Sequence, residues 1–111
     1  MTFERACDPA DVPTGEALGL SLGGVDVAVA RDGDDYYALQ DLCSHAHVVL
    51  SEGEVADCAI ECWLHGSSFD LRTGKPTSFP ATEPVATFPV EVRDDGLYVD
   101  TTTTLNGVRP S

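Results

Sequence analysis

Between Cys43 and Gly66 the chain reads CSHAHVVLSEGEVADCAIECWLHG, about a fifth of its 111 residues, and this stretch holds three of the four cysteines and all three histidines. Two short groups stand out in it, Cys43-x-His45 and Cys62-x-x-His65, separated by residues 46 to 61. Each group offers one thiolate and one imidazole from a tight turn. A fold that brings the turns together presents two sulfur and two nitrogen donors, a set that suits zinc or an iron-sulfur centre. No other feature constrains the fold as much, because two loops distant in sequence must meet at one point.

The flanking sequence supplies strands to carry those loops. VDVAVA after LGG, YYALQ after DGDD, FPVEV before RDDG and LYVD after it all follow a period of two. RDGDDYY and RDDGLYV each place Asp and Gly between two such runs, which is hairpin chemistry because these residues tolerate positive φ. Outside the cysteine-rich stretch no segment keeps an apolar stripe at helical spacing for three turns, and ten Gly and seven Pro punctuate the chain. The expectation is an all-β domain of short antiparallel strands. A chain of this length buries one core and has no room for a second, catalytic domain. PTSFPATEPVATFP, Pro-rich but short, reads as a structured connection. The end, TTTTLNGVRPS, offers little to bury, so the domain is expected to span residues 1–102 and to be followed by a flexible tail, 103–111.

Nineteen acidic against six basic residues leave a net charge of -13. Such a field repels nucleic acid and anionic membrane surfaces and attracts a partner with a basic face. There is no run approaching the ~20 apolar residues of a membrane-spanning helix. The start, MTFERACDPADVP, lacks the basic and then apolar stretches of a secretory signal. A cytoplasmic protein is expected, and in that reducing compartment clustered cysteines are better read as metal ligands or catalytic groups than as disulfides.

Structural zinc sites usually pair Cys with Cys in one knuckle and His with His in the other. Here each knuckle is mixed, which suits a binuclear cluster better, with two thiolates on one iron and two imidazoles on the other. A zinc-binding interaction module remains the alternative, and it would be colourless. CSH, the CWLHG knuckle and the following SSFDLRTGKP resemble the signature of Rieske-type [2Fe-2S] ferredoxins: C-x-H, a gap of this length, C-x-x-H-G, then F-D and a T-G turn. The resemblance runs from about Val25 to Asp100, and the chain closely resembles the small ferredoxin subunits of bacterial ring-hydroxylating oxygenase systems. It implies one [2Fe-2S] cluster, with Cys43 and Cys62 on the inner iron and His45 and His65 on the outer iron near the surface. It also implies a Rieske-type antiparallel β-sandwich with both cluster-binding loops at one end. The same motifs are similar to small Rieske proteins associated with bacterial iron-sulfur assembly, so that role stays open beside the oxygenase one.

Several neighbours acquire roles by the same resemblance. Ser67 matches a serine whose hydroxyl donates to a bridging sulfide in high-potential relatives, while Phe69 replaces their tyrosine. Val48 and Leu64 stand where those relatives carry a disulfide. With the charge of -13, these differences place the expected potential near the low end of the Rieske range of roughly -150 to +300 mV. Trp63 lies between two ligands, and His47 is expected at the tip as a surface group beside the cluster. Cys58 alternates with Ile60 and Cys62 and is expected to be a buried small hydrophobe facing the ligand side, while Cys7 is expected in the core of the first strand.

An oxygenase active site needs a mononuclear iron on two His and one carboxylate. With His45 and His65 committed, only His47 remains. GLSLGG does not match a dinucleotide fingerprint, and no triad stands apart from the cluster. What is left is an electron carrier and no enzyme; the resemblance implies that it shuttles electrons from a flavoprotein reductase to a terminal non-heme iron oxygenase, and a monomer is expected.

Overall fold

Residues 3–43, 48–63, 66–77 and 81–108 are described by the computed structural model. Ten short strands follow one another: β1 (Glu4–Cys7), β2 (Ala17–Leu22), β3 (Val25–Asp32), β4 (Asp35–Gln40), β5 (Val55–Ala56), β6 (Ala59–Glu61), β7 (Ser68–Asp70), β8 (Thr87–Phe88), β9 (Val90–Arg93) and β10 (Gly96–Val99). All pair antiparallel, in three sheets ordered β1-β10-β9, β2-β3-β4-β8 and β5-β6-β7. The helical content of the described residues is two single 3₁₀ turns, Pro9–Asp11 and Leu50–Glu52. No helix among them is long and apolar enough to cross a membrane.

The alternation in VDVAVARD explains the layering. Val27 and Val29 turn to one side of the central sheet, where they pack with Phe88 and with Leu97 and Val99 of the β1-β10-β9 sheet. Ala30 and Leu39 join the core on the other side, with Val55, Ile60 and Phe69 of the small β5-β6-β7 sheet. Buried on both faces, β3 reads as four consecutive inaccessible residues, Val27 to Ala30, as strands enclosed on two sides do. The expected sandwich is present, and a third small sheet is added to it to carry the second cysteine loop.

Both hairpins expected from the turn chemistry form, β3 to β4 with Gly33 at φ +65° and β9 to β10 across Asp94 and Asp95. A third hairpin corrects part of the reading of Cys58. Asp57 and Cys58 form the two-residue connection between β5 and β6, both with positive φ, +53° and +58°. That is the type I′ geometry that Asn-Gly or Asp-Gly normally supplies. Cys58 is therefore a half-buried turn residue outside the strand that carries Ile60, though it packs on the side expected, against the core that holds Ile60 and Cys62. Tertiary contacts hold the strained pair: the Cys58 N–H donates to the Asp32 carboxylate at 2.7 Å, and the Cys58 carbonyl accepts from the Leu71 N–H at 2.9 Å. A hydrogen bond with the Cys58 thiol, aided by burial, pushes the Tyr37 phenol up to about 12.

Where the sequence suggests a frayed tail, residues 105–108 instead run beside the outer edge of β8. The Leu105 N–H donates to the Thr87 carbonyl at 2.8 Å, and Val108 packs half-buried on the core. Unpaired edge strands invite wrong pairing, and this segment covers one.

Candidate metal centre

Cys43 follows β4 and Cys62 follows β6, and each opens a loop that closes on itself. The Cys43 N–H donates to the Val48 carbonyl at 3.0 Å. The Cys62 N–H donates to the Ser67 carbonyl, and the Gly66 N–H returns to the Cys62 carbonyl at 2.9 Å, with Gly66 at φ +75°. The two cysteines are 3% and 1% exposed, and both belong to one apolar core with Leu50, Ile60, Phe69, Leu71, Ala81 and Val85. Neither forms a disulfide.

Two buried thiols, each at the start of a self-closed loop and sharing one apolar core, fit a soft metal well. Thiolates in such surroundings are costly without a compensating charge. A coordinated iron removes that cost by taking both charges. His45 and His47 lie in the stretch 44–47, and His65 in 64–65; all three fall outside the described residues. Trp63, beside Cys62, is 49% exposed, and Val49, beyond the first loop, is 39% exposed. These two give the surface next to the loops an apolar rim.

Ser67 is buried, and its Oγ accepts a hydrogen bond from the Ala81 N–H at 3.0 Å. A hydroxyl carries one proton beside its two lone pairs. With the oxygen accepting from Ala81, that proton is left to donate to a further acceptor. Phe69, fully buried, is purely core. Cys7 lies in the core on the far side of the central sheet, where burial, and then Asp11, push its thiol up.

Sequence reasoning missed the residues that fix the loops. Asp41, two residues before Cys43, is buried, and its carboxylate accepts from the Ser51 N–H at 2.7 Å and the Ser51 hydroxyl at 2.8 Å. That pair ties the entry of the first loop to its exit at the Leu50–Glu52 turn. Gly19 of β2 leaves the space, since a Cβ there would come within 2.6 Å of the Asp41 carboxylate. Gln40, also buried, donates to the Leu42 carbonyl at 2.9 Å and accepts from the Ala86 N–H at 3.0 Å. The available signal was a pair of polar residues, Gln40 and Asp41, directly after the apolar end of a strand.

Comparison with known proteins agrees with this geometry. The Rieske [2Fe-2S] domain family matches residues 2–89. The 3-phenylpropionate/cinnamic acid dioxygenase ferredoxin subunits of Escherichia coli K12 and Shigella flexneri are 45% identical over 96 residues, covering 86% of this chain and 90% of theirs. Among solved structures, the ferredoxin of carbazole 1,9a-dioxygenase from Nocardioides aromaticivorans superimposes with a TM-score of 0.84 at 37% identity, covering 89% of this chain and 97% of that one. A complex of reduced oxygenase and oxidized ferredoxin in carbazole 1,9a-dioxygenase contains a match with a TM-score of 0.81 at 38% identity, covering 87% and 91%. The family match spans both cysteine loops, and the chain belongs to the Rieske [2Fe-2S] domain family.

Proposed function

We propose that this chain is a one-electron carrier whose [2Fe-2S] cluster is held by Cys43 and Cys62 on an inner iron and by His45 and His65 on an outer one. In this reading it takes electrons from a flavoprotein reductase and delivers them to a terminal non-heme iron oxygenase. The observation that carries the proposal is the convergence of two buried thiols, each at the mouth of a self-closed loop, in one apolar core. The cluster, when bound, supplies a one-electron couple. The protein's residues exclude water from the sulfur side and hold the loops in place. They also offer an apolar rim, Trp63 and Val49, to a docking partner.

Relatives named as ferredoxin subunits, one type of them captured with its oxygenase, support the oxygenase partner over an iron-sulfur assembly role. Low-temperature electron paramagnetic resonance with iron and zinc analysis tests the core of the proposal. A signal that appears only on reduction, with the low average g value of a histidine-ligated binuclear centre, is expected; a silent protein holding one zinc would overturn it.

Ser67→Ala is expected to lower the midpoint potential by about 20–65 mV. That is the one-electron equivalent of a hydrogen bond worth about 0.5–1.5 kcal/mol, because donors to cluster sulfur favour the reduced, more negative state. A redox titration showing no shift would mean that the hydroxyl proton points elsewhere.

Between Arg31 and Arg72 the chain carries nine acidic residues and no Lys or Arg. The segment includes both loops, and within it Asp70 has a cationic partner, Arg72 at 3.8 Å. Electron transfer to the partner is expected to slow about tenfold as ionic strength rises from about 0.01 to 0.15 M, the range over which screening shortens from about 30 to about 8 Å. Stopped-flow rates that stay flat across that range would leave the acidic residues a role in solubility alone.

A further inference from the structure

Asn106, in the C-terminal segment beyond the last strand, uses every hydrogen-bonding position of its carboxamide. Its Nδ2 donates to the Thr73 carbonyl at 2.9 Å and to the Val85 carbonyl at 2.8 Å. Its Oδ1 accepts from the Thr87 N–H at 3.3 Å and from the Val108 N–H at 3.2 Å. Two donors and two acceptors are all that this side chain has. Thr73 and Val85 lie near the two ends of the connection from β7 to β8, so one amide bridges the base of residues 74–85. The Val85 N–H closes the same base by donating to the Gly74 carbonyl at 2.9 Å. Gly74, at φ +74°, makes the fit: a Cβ there would run into the Val85 carbonyl and the Asn106 amide.

The connection so closed carries Ala81, which does two things at the metal centre. It is buried in the core that contains Cys43 and Cys62, and its N–H holds the Ser67 oxygen. We infer that Asn106 is a positioning residue for the cluster: by locking the base of residues 74–85 it fixes Ala81, and through Ala81 it orients the Ser67 hydroxyl. The argument rests on the cluster assignment for the last step only. The C-terminal segment is thereby a working part of the redox site, reached through the chain's own hydrogen bonds with no contact to the metal.

The test compares Asn106→Ala, Ser67→Ala and the double variant as purified holoproteins by redox titration, beside deuterium exchange of residues 74–86. Asn106→Ala is expected to move the potential in the direction of Ser67→Ala. The double variant is expected to match Ser67→Ala alone, because the clamp acts through that hydroxyl. Exchange across residues 74–86 is expected to speed up about tenfold in Asn106→Ala. Leu105→Ala, which alters an exposed side chain of the same segment, is expected to change neither reading. If Asn106→Ala does not fold, Asn106→Ser, with one donor and a shorter reach, takes its place and is expected to show the same pattern in smaller measure. A lower melting temperature with an unchanged potential would overturn the inference, as would shifts that simply add in the double variant. Wild-type protein without a Rieske signal would sink the cluster assignment instead, and the exchange measurement would still report on the clamp.

Discussion

Cys62→Ser is expected to yield a protein with at least about tenfold less iron than wild type and no reduced-state resonance signal. A serine hydroxyl is harder and far less acidic than a thiol, so it does not take the place of a thiolate on iron. At 1% exposure no water can complete the shell from that side. Cys43→Ser should do the same from the other loop. The informative contrast is Cys58→Ser. Cys58 sits half-buried in the β5–β6 turn, against Tyr37 and the outside of the core that holds the buried pair, and its removal should leave iron and signal in place. Iron content measured on all three proteins checks the ligand assignment, and retained iron in Cys62→Ser would refute it.

Gly53→Ala is expected to cost about 3 kcal/mol and to lower cluster content together with stability. The reason is space alone. Gly53 has ordinary extended backbone, φ -84° and ψ 172°, which alanine adopts freely, but a Cβ there would run into the Glu61 carbonyl. Glu61 is tied to the residue that follows Gly53, its N–H donating to the Glu54 carbonyl at 2.9 Å, and its next neighbour is Cys62. Relieving the clash pushes β6 outward and carries the ligand with it. Gly24→Ala is the matching control. Its φ of +81° penalises any side chain by about 1–2 kcal/mol, yet its Cβ would meet nothing within 4 Å. Gly24→Ala should lower the melting temperature and leave the iron content untouched, whereas Gly53→Ala should lower both.

These contrasts mark where the sequence was legible. Strands such as Val25–Asp32 and Gly96–Val99, and the hairpins joining their neighbours, follow from local alternation and from Asp and Gly in the turns. The spacing of Cys43 and Cys62 foretold two loops meeting in one place. Asp57-Cys58 escaped because Asp tolerates left-handed backbone but Cys, in the place usually held by Gly, is not a usual choice for it; the Asp32 carboxylate, 26 residues away, supplies what propensity does not. Asp41 with Ser51, Gln40 with Ala86, and Asn106 with Val85 escaped for a related reason. Each is a polar side chain satisfying backbone or hydroxyl groups across 10 to 46 residues, and nothing in a period of two announces such a partner. The separate β5-β6-β7 sheet was missed because strands of two or three residues are too short to show a period.

The pairing of β4 directly with β8 has a consequence for the life of the protein without its metal. Gln40 and Ala86 face each other across that pair, the Gln40 N–H donating to the Ala86 carbonyl at 2.9 Å. Everything from residue 41 to residue 85, both cysteine loops included, is therefore an excursion whose two ends already touch. An excursion with joined ends adds little closure entropy to the scaffold beneath it. Loosening of the loops when iron is scarce is then expected to stop at the joint, leaving β1 to β4 and β8 to β10 standing. A chain in that condition is a vessel awaiting refilling, protected from the proteolysis that global unfolding invites.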